Sequence, residues 1–108
     1  MSIYLTKAIY SQEAIKGLLA KPVNREPAAK AMFDAAGVKL QHMWYSPNGE
    51  IICVLEGDVI SAATITMVVM ASGAFSSVES AELITMGQMV EAMGKAGAVA
   101  AKYQAPRK

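Results

Sequence analysis

Apolar residues recur along this chain in two rhythms, and the rhythm changes at glycines, prolines and small polar residues. From Ser2 to Tyr10 they alternate. Tyr4, Thr6, Ala8 and Tyr10 fall on one side of an extended chain, and Ile3, Leu5 and Ile9 fall on the other with Lys7. That two-residue period predicts a strand. Ser11, followed by Gln12 and Glu13, reads as the cap of a short helix that ends near Lys21 and Pro22. Asn24 reads as the next cap, with Glu26 and Pro27 in the first turn, where proline's missing N–H costs little. Ala28, Ala29, Met32, Phe33 and Ala36 then keep helical spacing, and Gly37 suits a left-handed stop.

Two strand-like stretches follow, Lys39 to Tyr45 and Glu50 to Glu56, and both are apolar on both faces. Between them stand Pro47, Asn48 and Gly49, and an Asn-Gly pair is the signal of a two-residue hairpin turn. With that turn, Trp44 faces Cys53 and His42 faces Leu55. One face then collects Leu40, His42, Trp44, Ile51, Cys53 and Leu55; the other collects Gln41, Met43, Tyr45, Ile52, Val54 and Glu56. A different loop, slipping the register by one residue, would scramble this partition.

Asp58 caps a third helix from about Val59 to Ser72, stopped by Gly73. Phe75 to Ala81 is a strand rich in Ser and Glu, suited to a sheet edge. Thr85 and Gln88 have the spacing of a capping box. Behind them Met89, Val90, Met93, Ala96 and Ala100 make an apolar stripe through a last helix to about Lys102, and residues 103–108 form a fraying tail. No linker or internal repeat divides the chain, so residues 1–108 read as one domain. Two strand-helix-strand units joined by a hairpin predict an α+β, ferredoxin-like βαββαβ sandwich: a four-stranded antiparallel sheet with helices on one face and an extra C-terminal helix.

Composition bears on what covers the other face. Hydrophobic residues make up 54% of the chain and charged residues 18%, a balance more apolar than is usual for a soluble domain. A sheet apolar on both sides must be covered on both. The chain's own helices cover one side, and a second copy is the expected cover for the other, giving a homodimer or a higher oligomer of dimers. Net charge is +1 with no basic run beyond Arg107 and Lys108, which argues against nucleic acid as a partner. The apolar run from Val59 to Ala71 is shorter than the roughly 20 residues a bilayer requires. No membrane partner is expected, no secretory leader is visible, and a cytoplasmic location follows by elimination.

Few residues offer chemistry. His42 is the only histidine, and histidine is the side-chain type most used in general acid–base catalysis, so it is a candidate general acid or base; its plainer role is a hydrogen-bonded core or interface residue. Glu56 closes an apolar strand and is the other proton-transfer candidate, against a structural role at the sheet margin. Trp44 is a candidate pocket wall or packing anchor. Tyr4, Tyr10 and Tyr45 are candidate ligand contacts, although tyrosine is common in strands for packing alone. Cys53 reads as a small buried hydrophobe. The methionines follow core stripes without His or Cys beside them, so no metal is expected. No glycine-rich phosphate loop occurs, and a single histidine is a poor basis for haem. No cofactor is expected.

The arrangement from Tyr4 to about Met93 resembles the GYD-domain family. The stretches that carry it are Tyr4 and its strand, Ser11 to Gly17, Arg25 to Leu40, the hairpin ending in Val54, Leu55 and Glu56, and Ala71 to Gly73. The family's Gly-x-Tyr-Asp turn is altered. Aligned backward from Glu56, its Gly, Tyr and Asp positions are Pro47, Gly49 and Glu50; aligned on the glycine they are Gly49, Ile51 and Ile52. The tyrosine is absent either way. The resemblance implies a dimeric α/β barrel, in which two such sheets pack face to face. It also implies a breadth of function, from ligand-sensing modules to cofactor-free oxygenases and isomerases, so that fold alone selects none. The leading expectation is a homodimer that binds a small, fairly apolar molecule. The rivals are an interaction module without a ligand, and a cofactor-free oxygenase or isomerase.

Overall fold

The computed structural model describes residues 1–106. The elements run β1 (Ser2–Tyr10), α1 (Gln12–Ala20), α2 (Glu26–Ala35), β2 (Lys39–Tyr45), β3 (Ile51–Gly57), α3 (Val59–Ala71), β4 (Phe75–Leu83) and α4 (Met86–Ala100). The four strands form one antiparallel sheet in the order β2-β3-β1-β4. This α+β arrangement is compatible with a ferredoxin-like fold.

The helix starts follow local chemistry. Ser11 Oγ accepts from the Ala14 amide at 3.2 Å, and Asp58 Oδ1 accepts from the Ser61 amide at 2.8 Å. Both satisfy amides that a helix start leaves unpaired. Helix α2 is a variant. Its first non-helical residue is Arg25, which makes no side-chain cap, and Asn24 Oδ1 instead accepts from the Glu26 amide at 2.9 Å. The Thr85–Gln88 capping box closes reciprocally, at 2.8 Å and 3.0 Å. The expected fraying of residues 103–108 extends to 107–108, which lie outside the described residues.

The β2–β3 hairpin differs from the expected register. Gly49 N–H donates to the Ser46 carbonyl at 2.9 Å, and Ser46 N–H donates to the Glu50 carbonyl at 2.8 Å. The loop therefore has three residues. Gly49 takes φ +94°, and among the described residues no other residue type has a positive φ. A two-residue turn of the expected kind needs positive φ at Asn48 as well. Pro47 favours the alternative, because its fixed φ suits the second position of a type I turn, followed by a left-handed residue. The result pairs Trp44 with Ile52 and Met43 with Cys53, one residue away from the expected pairing.

An irregularity between Leu40 and His42 then shifts the pairing again, so that Leu40 meets Leu55 and His42 meets Val54. The extra residue, Gln41, returns Leu40 to the Leu55 face expected of it, while His42 to Tyr45 keep the register set by the loop. His42 and Trp44 consequently leave the company of Cys53 and Leu55 and join Ile52, Val54 and Glu56 on the face away from the helices. Met43 and Tyr45 move the other way. The loop thus corrects the expected partition for His42, Met43, Trp44 and Tyr45, the bulge leaves Leu40 on its expected face, and the partition of β1 stands: Tyr4, Thr6 and Ala8 pair with Leu55, Cys53 and Ile51.

The core lies between the sheet and helices α2 and α3. Leu55 and Val38 are its most enclosed residues, packed with Tyr4, Ile51 and Cys53 from the sheet. Phe33 descends from α2, and Ala62 and Ile65 from α3. Burial alternates without a break along β3, from Ile51 to Gly57, because one side faces this core and the other does not. Helices α1 and α4 bury no residue. From Glu79 onward every described residue is exposed. No helix among the described residues is long and apolar enough to cross a membrane.

Candidate functional site

A cavity of about 300 Å³ opens between the sheet and helices α2 and α3. Thr6 and Ala8 of β1, Ile51 and Cys53 of β3, and Met43 of β2 make its floor. Ala29, Met32 and Phe33 line it from α2, and Ile65, Thr66 and Val69 line it from α3. The space exists because small residues face one another across it, Thr6 and Ala8 below and Ala28 and Ala29 above. Its exposed rim consists of Arg25 and Ala28 on one side and Val68 and Ser72 on the other, so it opens along the gap between the two helices. Tyr10 and Phe75 close one end, with rings stacked 5.0 Å apart at 18°.

The lining is almost wholly apolar. Thr66 Oγ1 is bonded to the Ala62 carbonyl at 3.2 Å, which uses its proton within the helix. Arg25 brings the guanidinium, and the described structure gives it no ion pair, the one such pair being Lys30 with Asp34 at 2.7 Å. At the floor, burial pushes the Cys53 thiol up to about 11 from 9.0, and the nearby Glu26 carboxylate adds to the shift. The thiol therefore stays protonated at neutral pH and behaves as a small soft wall; nucleophilic cysteines are tuned the opposite way.

A second, shallower depression adjoins the first, sharing Tyr10, Arg25, Met43 and Ile51 with it and adding Leu18, Trp44 and Tyr45. Of the residues singled out from the sequence, Tyr10 lines both hollows, and Trp44 and Tyr45 border only the second. Tyr4 lies in the core outside both; its hydroxyl is buried and, among the described residues, the sole buried side-chain polar atom without a partner. His42 and Glu56 stand on the opposite sheet face. His42 lies flat on Trp44, ring centroids 4.7 Å apart at 9°, and Glu56 Oε1 accepts from Gln41 Nε2 at 3.4 Å. The proton-transfer candidates are thus separated from the cavity by the sheet. Among the described residues no three His, Cys, Asp or Glu side chains gather where they could hold a metal ion.

Arg25, Met32 and Thr66 were not singled out from the sequence. The signal for the cavity lay in paired small residues on β1 and α2, and it becomes readable only once those elements are known to face each other. The away-facing side of the sheet carries Ile3, Leu5, Ile9, Ile52, Val54 and Leu83 together with the polar Lys7, Lys39, His42, Glu56, Ser77 and Glu79, with Trp44 56% exposed at its margin. No protein-family model matches the chain, and no curated protein matches it.

Proposed function

We propose that this protein is a homodimeric, GYD-like module of the dimeric α/β-barrel type, and that each chain holds a small, fairly apolar molecule in the cavity between its sheet and helices α2 and α3. The observation that carries the ligand is the cavity itself. Protein interiors are close-packed, and an unfilled apolar space forfeits the dispersion contacts of its lining. A volume of about 300 Å³ sits at the lower end of the range for small-molecule sites, which combine apolar walls with a few polar groups. Arg25, at the rim, is the polar group placed to orient such a molecule. The apolar residues Ile3, Leu5, Ile52 and Val54 on the face away from the helices support the dimer, since apolar sheet surface on that side needs a cover as well. His42 and Glu56 then belong to the contact between copies, outside the ligand site.

Native mass spectrometry of freshly purified protein reads both parts together, as subunit number and co-purifying mass. Binding is then measured with an apolar fluorophore, anilinonaphthalene sulfonate. Ala29→Trp fills the cavity and is expected to abolish saturable binding at one probe per chain while leaving the far-ultraviolet circular dichroism unchanged. Leu5→Glu, on the other sheet face, is expected to leave it intact. Binding that survives Ala29→Trp and disappears in Leu5→Glu assigns the probe to the exposed face and defeats the cavity reading.

A further inference from the structure

The outermost helix of this chain has a stripe with nothing beneath it. In α4, Met86, Met89, Val90, Met93, Ala96 and Ala100 share one side, and Glu91 and Lys95 stand opposite. Yet Met86 is 73% exposed, Val90 64% and Met93 51%, and no residue of the helix is buried. A helix of this length stays marginal in water unless its apolar side is packed.

The join to β4 explains why the stripe does not fold back. Only Ile84 lies between the end of β4 and the cap residue Thr85, which is extended at φ −72°, ψ 164°. The closed capping box fixes the first turn of the helix immediately afterwards. The helix accordingly runs outward for about 22 Å, as its 15 residues dictate. The radius of gyration is 18.1 Å and the long axis 59 Å, where a globular chain of this length has a radius near 13 Å.

The surface area says what size of partner is missing. The chain exposes 7928 Å². A compact monomer of 11.4 kDa exposes about 5,800 Å². The excess is about 2,100 Å² per chain, or about 4,200 Å² for two chains, which falls in the range of obligate homodimers, roughly 2,000–5,000 Å². That match is what a second copy supplies.

We infer that α4 is an exchange arm: its Met86–Met93 stripe packs on a second copy of this chain, extending past the end of the sheet the interface proposed above. The inference rests on that homodimeric reading but adds a separate contact that can fail alone. In a two-fold pair each arm is both given and received, so both stripes are buried at once.

The test uses the full chain. Met93 is replaced by the photocrosslinker benzoylphenylalanine, and sedimentation velocity is run on the wild type and on Met89→Glu/Met93→Glu; glutamate keeps the helix propensity. The expected results are crosslinks from position 93 to a different chain, mapped by mixing isotopically light and heavy protein. For the double variant, a rise of about 100-fold or more in the dimer dissociation constant is expected, with any loss of circular dichroism confined to the contribution of α4. A dimeric wild type whose position 93 crosslinks only within its own chain overturns the arm and leaves the sheet pairing standing. A wild type that is monomeric at micromolar concentration overturns both. If the double variant does not fold, the crosslink decides; crosslinks to other proteins alone count against the inference.

Discussion

The Gly49 amide donates to the Ser46 carbonyl over 2.9 Å, and this one bond decides on which side of the sheet His42 and Trp44 stand. A hairpin loop longer by one residue exchanges the partners of the whole strand. Gly49 holds φ +94° with open space where a Cβ would sit, so a side chain there meets backbone strain without a clash. Gly49→Ala is expected to cost about 1 kcal/mol. Urea denaturation followed through Trp44 fluorescence measures it, and a cost near zero means that the loop is not held in this form.

Leu55 is 2% exposed and pairs with Tyr4 on one side and Leu40 on the other. Truncation there removes a side chain from the centre of the core and leaves a void. Leu55→Ala is expected to lose about 2–5 kcal/mol, a large share of the stability of a domain of this size. Equilibrium unfolding by circular dichroism checks it. Leu19→Ala, on the exposed side of α1, is the control and should change little.

Cys53 ties the cavity floor to pH. Its thiol is raised from 9.0 to about 11, so the folded chain keeps a proton that the unfolded chain releases first. Stability from this group is therefore complete below about pH 9 and declines as pH rises toward about 11, by on the order of 2 kcal/mol. The comparison is with Cys53→Ala, which is offset by lost packing but should lack that part of the alkaline slope. In native protein at pH 8 the thiol should react with iodoacetamide far more slowly than in urea.

Asp58 works in the opposite direction. The Ser61 amide bonded to its carboxylate holds its pKa below 3.8. A depressed acid stabilises the fold above its unfolded value, and that contribution is lost as pH falls through the folded one. Asp58→Asn keeps a capping oxygen without the charge. The thermal midpoint of the wild type is expected to exceed that of Asp58→Asn at neutral pH, with the gap closing below about pH 4. A gap that stays constant down to pH 2 means the charge adds nothing at this helix start.

The local punctuation of the chain was legible in its residues. Ser11, Asp58, Thr85 and Gln88 cap as their types and spacing predict, and Gly37 and Gly73 take the left-handed turns expected of them, at φ 77° and 74°. These features depend on a few neighbouring atoms, so a short window of sequence contains their cause. The alternation of β1 was equally secure, because nothing interrupts its two-residue period.

Long-range choices were settled elsewhere. Pro47 against Asn48 set the loop length and with it the faces of His42 to Tyr45, and the extra residue at Gln41 kept Leu40 on the core face; both balances involve the strand across the ladder as well as the turn. The cavity depends on Thr6 and Ala8 meeting Ala28 and Ala29, residues some 20 positions apart whose smallness means nothing until the sheet and α2 face one another. By itself, then, the sequence determined the order of helices and strands and most of the helix caps, since those follow from periodicity and from the donors and acceptors of adjacent residues; β4, expected to end at Ala81, runs on to Leu83. Tertiary structure alone decided which side each residue of β2 occupies, where the empty volume lies and which way α4 points, because each is set by packing between segments that chain order leaves free to meet in more than one register.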